Sequence, residues 1–344
     1  MIVSVDPKEF KKLFEDFVKS GKVMFNFLCD GYSLNIQLLA EFTVEYSIPC
    51  ELVEGPPIVS EASYYITNPI HILKDDIPIT LEFADLRVVI VQGNFKYTLL
   101  QEFEARKELV LFDRNLCIPL GARRLQYLVS AADKMTCIAK ELRTLPVEPM
   151  FVNGHFYVRY SDIAFVDRFD FIQDMCIPYT VLRQVVPKLS EDATYIIVDN
   201  GEQLIICSEQ YVFYIQAVNF NLKGNSTNAL DDIILQSKKV STICLKNIAS
   251  DLNTIISTLP NQKFTLAVVE DNFNISITSA DSTATVFLGK KLDRYILSTI
   301  MRSGKLQTLL KLFGNEDSID VYRAPNVLRF SSGSKNLLIS GLIY

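Results

Sequence analysis

The sequence predicts an α+β fold in which six similar units pair into three similar domains, with helices on one side of the sheets. Two observations support this. A short amphipathic run with helical spacing begins at six places, 53 to 67 residues apart, and two or three strand-like runs follow each one. Apolar residues lie on both faces of some strand runs, which favours a sheet covered by helices over a solvated meander. The helical runs begin near Pro7, Asn68, Gly121, Pro178, Leu245 and Ser303.

The helices follow from apolar spacing and from the residues that end them. In the fourth unit, Val181, Leu182, Val185 and Val186 share one helical face, and Pro187 should end the helix. The run after Asn68 is very short, whereas the other five are clear. The predicted helices cover Pro7–Ser20, Asn68–Leu73, Gly121–Arg143, Pro178–Leu189, Leu245–Leu259 and Ser303–Phe313.

The strands follow from short apolar runs bounded by turn residues. The clearest hairpin joins Thr194–Val198 to Gln203–Cys207, because Asn200 and Gly201 between them tolerate the positive φ of a tight turn. Alone, each unit would leave an apolar helix face and a sheet edge bare, so the units should pair. The predicted strands cover 23–28, 32–39, 43–48, 79–83, 86–91, 94–101, 150–152, 155–160, 163–168, 194–198, 203–207, 211–215, 264–269, 273–278, 318–322, 327–330 and 336–343.

Length and composition place the domain boundaries. A chain of 344 residues suggests two or three domains, and 49% hydrophobic residues provide ample apolar surface for their cores. Residues 105–111 and 219–231 are the predicted linkers, and the second is rich in Asn, Ser and Gly. The predicted domains are therefore 1–110, 111–230 and 231–344.

Cysteine usage predicts a reduced, cytoplasmic protein. The seven cysteines are an odd number, form no C-x-x-C pair, and in part lie within apolar runs, as Cys207 and Cys244 do. The N-terminus lacks the pattern of a signal peptide, and no apolar run approaches the ~20 residues that span a bilayer. We expect no membrane partner.

The motifs of enzyme and metal sites are missing from the sequence. It contains no phosphate-binding glycine loop, and His71 and His155 lie in different units without metal-ligand spacing. Acidic pairs such as Asp75-Asp76 fall at turns, where a solvated role is the ordinary one. We therefore expect no catalytic residue, no cofactor and no metal.

Charge is distributed unevenly between the helices and the rest of the chain. The net charge is −6, which by itself argues against nucleic acid as a partner. The five clear helical runs nevertheless hold 16 basic and 6 acidic residues, against 18 basic and 34 acidic elsewhere. If the helices share one surface, that surface attracts phosphates while the remainder repels them.

Three domains of paired helix-plus-strands units, with basic helices and an acidic remainder, resemble a DNA sliding clamp. The resemblance is to the three-domain bacterial kind, the β subunit of DNA polymerase III, and covers the whole chain as architecture. It is most specific in the strand near 162–166, the Ile177-Pro178 helix entry, the Asn200-Gly201 hairpin and the final strand 337–344. It implies a non-enzymatic processivity factor: a head-to-tail homodimeric ring around double-stranded DNA, bound without regard to base sequence, that tethers DNA polymerase and clamp loader through short peptide motifs. It also implies the cytoplasm of a bacterial or phage-infected cell.

The ring's inner wall would use lysines and arginines, because phosphate contacts position a protein without reading sequence. On any single helix, a charged face is more often just a solvated face. The predicted contributors are Lys8, Lys12, Lys19, Arg123, Arg124, Lys134, Arg183, Lys188, Arg302, Lys305 and Lys311.

The family's partner-peptide pocket, between the second and third domains, departs from its usual sequence. The family's T-D-G-H-R-L stretch resembles Ser161–Val166 without its glycine, histidine and arginine, and its C-terminal M-P-M-R-L resembles Ser340–Tyr344. This favours an altered partner preference, as in a phage or plasmid clamp that serves its own polymerase. Phe165 is expected at a strand end outside the core, whereas Leu338 could equally pack inside the third domain. The predicted lining is Val147, Phe165, Val166, Ile234, Leu338, Leu342 and Tyr344.

Ring closure requires an edge of the first domain to meet an edge of the third. The apolar strand 95–101 would be an aggregation hazard if left bare, so we expect it at this interface. The predicted interface residues are Tyr97, Leu99, Ile256, Leu259 and Phe264, the last opening an edge strand. The alternative is a clamp-fold scaffold, or a tether for transcription or defence proteins, that does not act as a processivity ring.

Overall fold

The computed structural model describes residues 1–344 except 18–21, 30–31, 40, 57, 68–72, 85–86, 106–108, 136–148, 161, 219–231, 247–248, 259–262, 270–271, 279–282, 292–297 and 341–344. The chain divides into two compact units. Unit 1 comprises Met1–Ala122 and Arg183–Gln216, and unit 2 comprises Arg123–Leu182 and Ala217–Tyr344. Each unit contains one antiparallel sheet of twelve strands. Within the described ranges, every helix is too short or too polar to cross a membrane.

Five of the described helices lie at the places that the apolar spacing predicts. They are α1 (Pro7–Phe17), α2 (Ala122–Lys134), α3 (Tyr179–Val185), α4 (Ala249–Thr258) and α5 (Ser303–Phe313). Pro187 lies in a 3-10 turn, Val186–Lys188, directly after α3, so the prediction that it ends this α-helix is confirmed. The short helix expected at 68–73 falls almost entirely outside the described residues, as does the predicted end of α2.

Six three-stranded antiparallel meanders account for the predicted strands. In chain order they are β2 (Lys22–Cys29), β3 (Ser33–Leu39) and β4 (Thr43–Glu54); β6 (Ile79–Ala84), β7 (Arg87–Gln92) and β8 (Phe95–Ala105); β10 (Met150–Val152), β11 (His155–Tyr160) and β12 (Ile163–Arg168); β14 (Thr194–Val198), β15 (Gln203–Cys207) and β16 (Tyr211–Gln216); β18 (Lys263–Val269), β19 (Asn272–Thr278) and β20 (Thr283–Lys291); β22 (Ile319–Ala324), β23 (Val327–Ser332) and β24 (Lys335–Ser340). The Asn200 turn has the predicted positive φ, 56°.

A further strand precedes each helical position, and the sequence pattern did not predict these. They are β1 (Ile2–Val5), β5 (Ile58–Thr67), β9 (Ile118–Pro119), β13 (Met175–Cys176), β17 (Lys238–Ile243) and β21 (Ser298–Arg302). Several join neighbouring meanders: β1 pairs with both β4 and β6, and β17 with both β20 and β22. The repeated unit is therefore a strand, a helix and a three-stranded meander.

Two pairings between the third strands of different meanders make each sheet continuous. In unit 1, Thr43–Tyr46 of β4 pairs with Tyr211–Tyr214 of β16, which we call the first seam. In unit 2, Ile163–Val166 of β12 pairs with Asn336–Ile339 of β24, the second seam. Backbone hydrogen bonds across these seams join parts of the chain that are far apart in sequence.

The core lies between the helices and one face of each sheet. Strand side chains alternate between faces, so Phe213 and Phe165, both inaccessible to solvent, point into this core from the two seams. The helices contribute fully buried side chains as well, among them Phe10, Leu125, Leu182, Leu252 and Leu306. This leaves the other face of each helix available for polar residues.

Candidate nucleic-acid interface and partner groove

The predicted phosphate-contacting cations separate into three groups. One group is exposed, on or beside four of the helices: Lys8, Lys12, Arg123, Arg183 and Lys311. A second group, Arg124, Lys188 and Lys305, is engaged in ion pairs within its own unit. Of the rest, Lys134 is half-buried, Lys19 lies outside the described residues, and Arg302 ends β21 with its side chain outside the description.

Lys305 requires a correction, because it is not an exposed phosphate contact. Its side chain is 7% exposed, and its ammonium contacts the Asp162 carboxylate and donates to the Ser340 carbonyl at 3.2 Å. A buried ammonium is stable only when it is paired and hydrogen-bonded. Asp162 precedes β12 and Ser340 ends β24, so Lys305 ties together the two strand ends of the second seam.

Lys188 forms an ion pair beside the first seam. Its ammonium contacts one oxygen of Asp16 in α1, and the Tyr211 hydroxyl donates to the other oxygen at 2.8 Å. Tyr46, which is opposite Tyr211 in the seam, donates to Glu9, and the two tyrosine rings stack with centroids 4.9 Å apart. Burial and these carboxylates raise the pKa of both phenols. Helix α1 is thereby fastened to the seam.

Arg124 is the third cation held internally. Its guanidinium donates to Asp167, which has no solvent exposure, and to the Ser334 hydroxyl at 3.2 Å. It also lies 5.1 Å from the centre of the Tyr127 ring. Asp167 directly follows the seam residues of β12, so this pair again stabilises the second seam. The positive charge available to a ligand is smaller than the count of helix cations suggests.

Another cation with internal partners, Lys335, was missed because it lies on a strand. Its ammonium contacts Glu316 at 2.6 Å and the Leu312 carbonyl at 3.0 Å. Burial by itself would lower the pKa of Lys335, but the hydrogen bond with Glu316, the interactions with Tyr127 and the charge of Glu316 together outweigh it, and the pKa is raised. Burial, together with the charge of Lys335, lowers the pKa of Lys134. Lys134 is therefore a less favourable site for positive charge than the exposed helix cations.

The Lys335–Glu316 pair predicts a loss of stability in acid. Its hydrogen bond holds the folded-state pKa of Glu316 below the ordinary value of 4.5. The stabilisation is thus fully present above about pH 4.5 and is lost as the pH falls through the folded-state pKa. In denaturant unfolding between pH 7 and pH 2, wild type should be more stable than Glu316→Gln at neutral pH, and the difference should shrink in acid. Parallel stability curves would remove this pair as the cause.

The predicted partner groove corresponds in part to an apolar cluster on the outer face of the second seam. Val166 and Leu338 pack there with Met150, Val152 and Tyr157, and Ile233 lies partly buried against them. The Ile234 carbonyl accepts a hydrogen bond from Arg329 at 3.1 Å, which holds this segment beside the cluster. Val147, Leu342 and Tyr344 lie outside the described residues.

Phe165 does not belong to this cluster, and the expectation that it lies outside the core is wrong. It is in the middle of β12, flanked by Ala164 and Val166, and its side chain therefore projects to the opposite face. It has no solvent exposure and packs edge-on against Phe156, with ring centroids 6.3 Å apart. The aromatic residue stabilises the core beneath the seam.

Phe165→Ala should destabilise the protein by about 3–5 kcal/mol, because it removes a fully buried ring and leaves a cavity at the second seam. The matched control is Ile172→Ala, since Ile172 is 63% exposed and its loss should change stability by less than about 0.5 kcal/mol. Urea unfolding of both variants measures the difference. Equal midpoints would mean that Phe165 does not stabilise the core.

The predicted ring-interface residues are placed differently from one another. Tyr97 is half-buried on β8, while Leu99 and Ile256 are 2% and 1% exposed and belong to the core. Leu259 lies outside the described residues. Phe264 does not open an edge strand, which corrects that expectation: β18 pairs with β19 on one side and with β21 on the other. Alternation in the sequence could not reveal which strand of the third domain forms the edge.

The described residues include histidine, cysteine and carboxylate side chains, but these are not grouped as a metal centre would require. No three His, Cys, Asp or Glu side chains among them gather as metal ligands. The described cysteines are free thiols, and burial together with the neighbouring Cys117 raises the pKa of Cys207 to about 11. A thiol that stays protonated at neutral pH is a poor nucleophile.

No protein-family model matches the chain, and no curated protein sequence matches it. Solved structures match over nearly the whole length of both chains. The DNA polymerase beta subunit of Streptococcus pyogenes has a TM-score of 0.72 and 14% identity, covering 99% of this chain and 100% of its own. A Helicobacter pylori beta clamp bound to a DNA ligase peptide has a TM-score of 0.71 and 15% identity over the same shares. For the Caulobacter crescentus polymerase III beta protein the values are 0.73 and 11%, with 99% and 100% covered. The chain therefore has the fold of the DNA polymerase III beta sliding clamps, as the sequence predicted.

Proposed function

We propose that this protein is a sliding clamp, a processivity factor for DNA polymerase, in which two copies close head-to-tail into a ring around double-stranded DNA. Each copy contributes three domains, at 1–110, 111–230 and 231–344. The ring performs no chemistry of its own and requires no cofactor. It tethers polymerase, clamp loader and other replication proteins in the cytoplasm of a bacterial or phage-infected cell.

The observation that carries the proposal is the pairing of the third strands of the six meanders. Four of them pair within the chain, as β4 with β16 and β12 with β24. The other two are β8 and β20. Among the described residues, Phe95–Leu100 of β8 pairs only with β7, and Thr283–Phe287 of β20 pairs only with β19.

The open stretches of β8 and β20 correspond to the stretches that form the internal seams. In β4, one part of the strand pairs with β16 and the other part, Cys50–Glu54, pairs with β1. In β20, Gly289–Lys291 pairs with β17, the counterpart of β1, and the remaining part is open. Strand β8 corresponds to β16 and β24, and its open part, Phe95–Leu100, corresponds to the parts of those two strands that form the seams. Pairing β8 of one copy with β20 of the next would cover both edges, and doing so twice closes a dimer.

The exposed helix cations support DNA as the ligand of such a ring. Lys8 and Lys12 on α1, Arg123 on α2, Arg183 on α3 and Lys311 on α5 are all exposed. Their flexible side chains can contact phosphates without reading bases, and this suits a protein that must slide.

The outer face of the second seam supports short peptides as the other class of partner. The structurally similar Helicobacter pylori clamp was solved with a DNA ligase peptide. In this chain, Val166 and Leu338 belong to an apolar cluster against which the partly buried side chains of Ile233 and Val327 pack. An extended peptide with one or two apolar side chains would dock there, since a few buried anchors carry most of such binding.

One observation favours the alternative, a clamp-fold scaffold or a tether for transcription or defence proteins that does not act as a ring on DNA. Arg124, Lys188 and Lys305 are neutralised by aspartates, and the whole chain has a net charge of −6. A scaffold needs no phosphate-attracting surface. It would remain a monomer, or would form dimers that are indifferent to DNA topology.

Mass and DNA topology together separate the two proposals. Light scattering should give about twice 39.0 kDa for a ring. Protein opened and reclosed on nicked circular DNA should be retained in gel filtration, and should be released when the circle is cut once. A monomeric mass, or equal retention on circles and linear DNA, would reject the processivity ring.

A further inference from the structure

The first seam has an apolar cluster on its outer face, as the second seam does. It consists of Ile205, Val212 and Tyr214, all less than 10% exposed. The alternate residues of the same strands, such as Phe213 and Ile215, have no exposure and face the helices. This outer cluster is therefore separate from the main core of unit 1.

The segment Leu109–Phe112 of the same chain packs against this outer cluster through its side chains. Leu109 and Phe112 pack against it, and the Phe112 ring meets the Tyr214 ring edge-on with centroids 6.4 Å apart. Leu111, between the two anchors, is 97% exposed and projects away from the sheet. The Asp113 carboxylate accepts from the Asn115 backbone N–H at 2.9 Å, which fixes the end of the segment. Two apolar anchors three residues apart thus lie on the seam with the residue between them in solvent.

Positions in the first seam can be matched to positions in the second, so the side chains that pack against the two outer clusters can be compared. Tyr214 and Leu338 are each the fourth residue of their strands, and they are opposite Thr43 and Ala164 respectively. At the second seam, the hydrophobic residues packed against the cluster in the described part of the chain are Ile233 and Val327, both partly buried. At the first seam, Leu109 and Phe112 pack against the matching surface, beside Ile196 and Val198 of β14 and Cys207 of β15. The Tyr214 hydroxyl also donates to Glu45 across the first seam at 3.3 Å, so the covered surface includes both of its strands.

We propose that Leu109–Phe112 is a built-in occupant of a second peptide groove, on the first seam, and that it blocks this groove until the segment is lifted. The groove accepts an extended peptide with the chemistry of the present occupant: a leucine and a phenylalanine at positions i and i+3. Neither anchor is fully buried, so the segment is held by limited apolar area, and a partner peptide with the same spacing can compete for it. The inference does not depend on ring closure or on DNA binding.

The test counts peptide sites on the full chain with a fluorescein-labelled peptide of sequence Lys107–Arg114. Relative to wild type, Leu109→Ala/Phe112→Ala should bind one additional equivalent of peptide per chain. The matched control Leu111→Ala changes the same segment at its exposed position and should behave as wild type. Adding Tyr214→Ala to the double variant should abolish the extra equivalent. An unchanged stoichiometry in the double variant, or an extra equivalent that survives the loss of Tyr214, would overturn the proposal.

A milder variant keeps the test decisive if the double variant fails to fold. Leu109→Ser removes one anchor and leaves Phe112 against Tyr214. It should expose the same extra site with an affinity at least tenfold lower than that of the open groove, because the remaining anchor still competes. If Leu109→Ser folds as wild type and binds no additional peptide at saturating concentrations, the segment does not block a groove.

Discussion

Replacing Thr98 by proline should convert the proposed dimer, of about twice 39.0 kDa, into a folded monomer. Strands β7 and β8 are joined by a two-residue turn that closes at Gln92 and Phe95, with Gly93 at a φ of 57°. In such a hairpin the closing pair is hydrogen-bonded, so the amides of Phe95 and Tyr97 face β7. Those of Lys96 and Thr98 face the open edge. Proline at 98 therefore removes a donor only from the proposed interface.

The size of the effect follows from the two identical interfaces of a closed ring. Each lost hydrogen bond leaves a carbonyl of the partner strand unsatisfied, at a cost of about 1–3 kcal/mol. Over both interfaces this amounts to a rise in the dimer dissociation constant of roughly 30-fold or more. Thr98→Val is the control, because it keeps both the N–H and the β-branched side chain. Light scattering across a dilution series, with a melting curve for each variant, makes the measurement. A Thr98→Pro protein that keeps the dimer mass would exclude β8 from the interface.

Local periodicity was sufficient to predict most of the secondary structure. Helix α5 has the predicted bounds, Ser303–Phe313, because its apolar spacing and the Gly314-Asn315 stop are both local features. The strands before the helices were missed. Two of them, β9 and β13, have only two residues each and carry no period. These strands are held by pairing with distant strands, and a propensity argument does not detect that.

The sites depended on contacts that no local pattern contains. Lys305 reads as one more helix cation, yet its partner Asp162 is 143 residues away in sequence. Phe165 was expected at a strand end although the predicted strand already covered 163–168. It lies in the middle of β12, whose alternation directs the ring into the core. The sequence pointed to β18 as the edge strand because each strand was considered alone. An edge is defined by the lack of a second pairing partner, and β18 has two partners. The use of the third strands of all six meanders points instead to Thr283–Phe287 of β20, which among the described residues pairs only with β19.

Reversing the charge of the exposed helix cations should nearly abolish retention on circular DNA. The set is Lys8→Glu, Arg123→Glu, Arg183→Glu and Lys311→Glu, all exposed and on helices, whereas Arg124, Lys188 and Lys305 are left intact because they hold the seams. Losing four phosphate contacts should flatten the slope of log affinity against log salt by roughly 3.6, at about 0.9 per contact.

The control reverses four exposed cations away from the helices: Lys74, Arg87, Arg168 and Lys238. Both variants change the net charge equally, so only a local effect distinguishes them. Retention measured between 50 and 300 mM salt should fall steeply for the helix set and change little for the control, with melting temperatures of both close to wild type. If the two sets lose retention equally, DNA responds to the overall charge of the protein, and these helices do not line the channel.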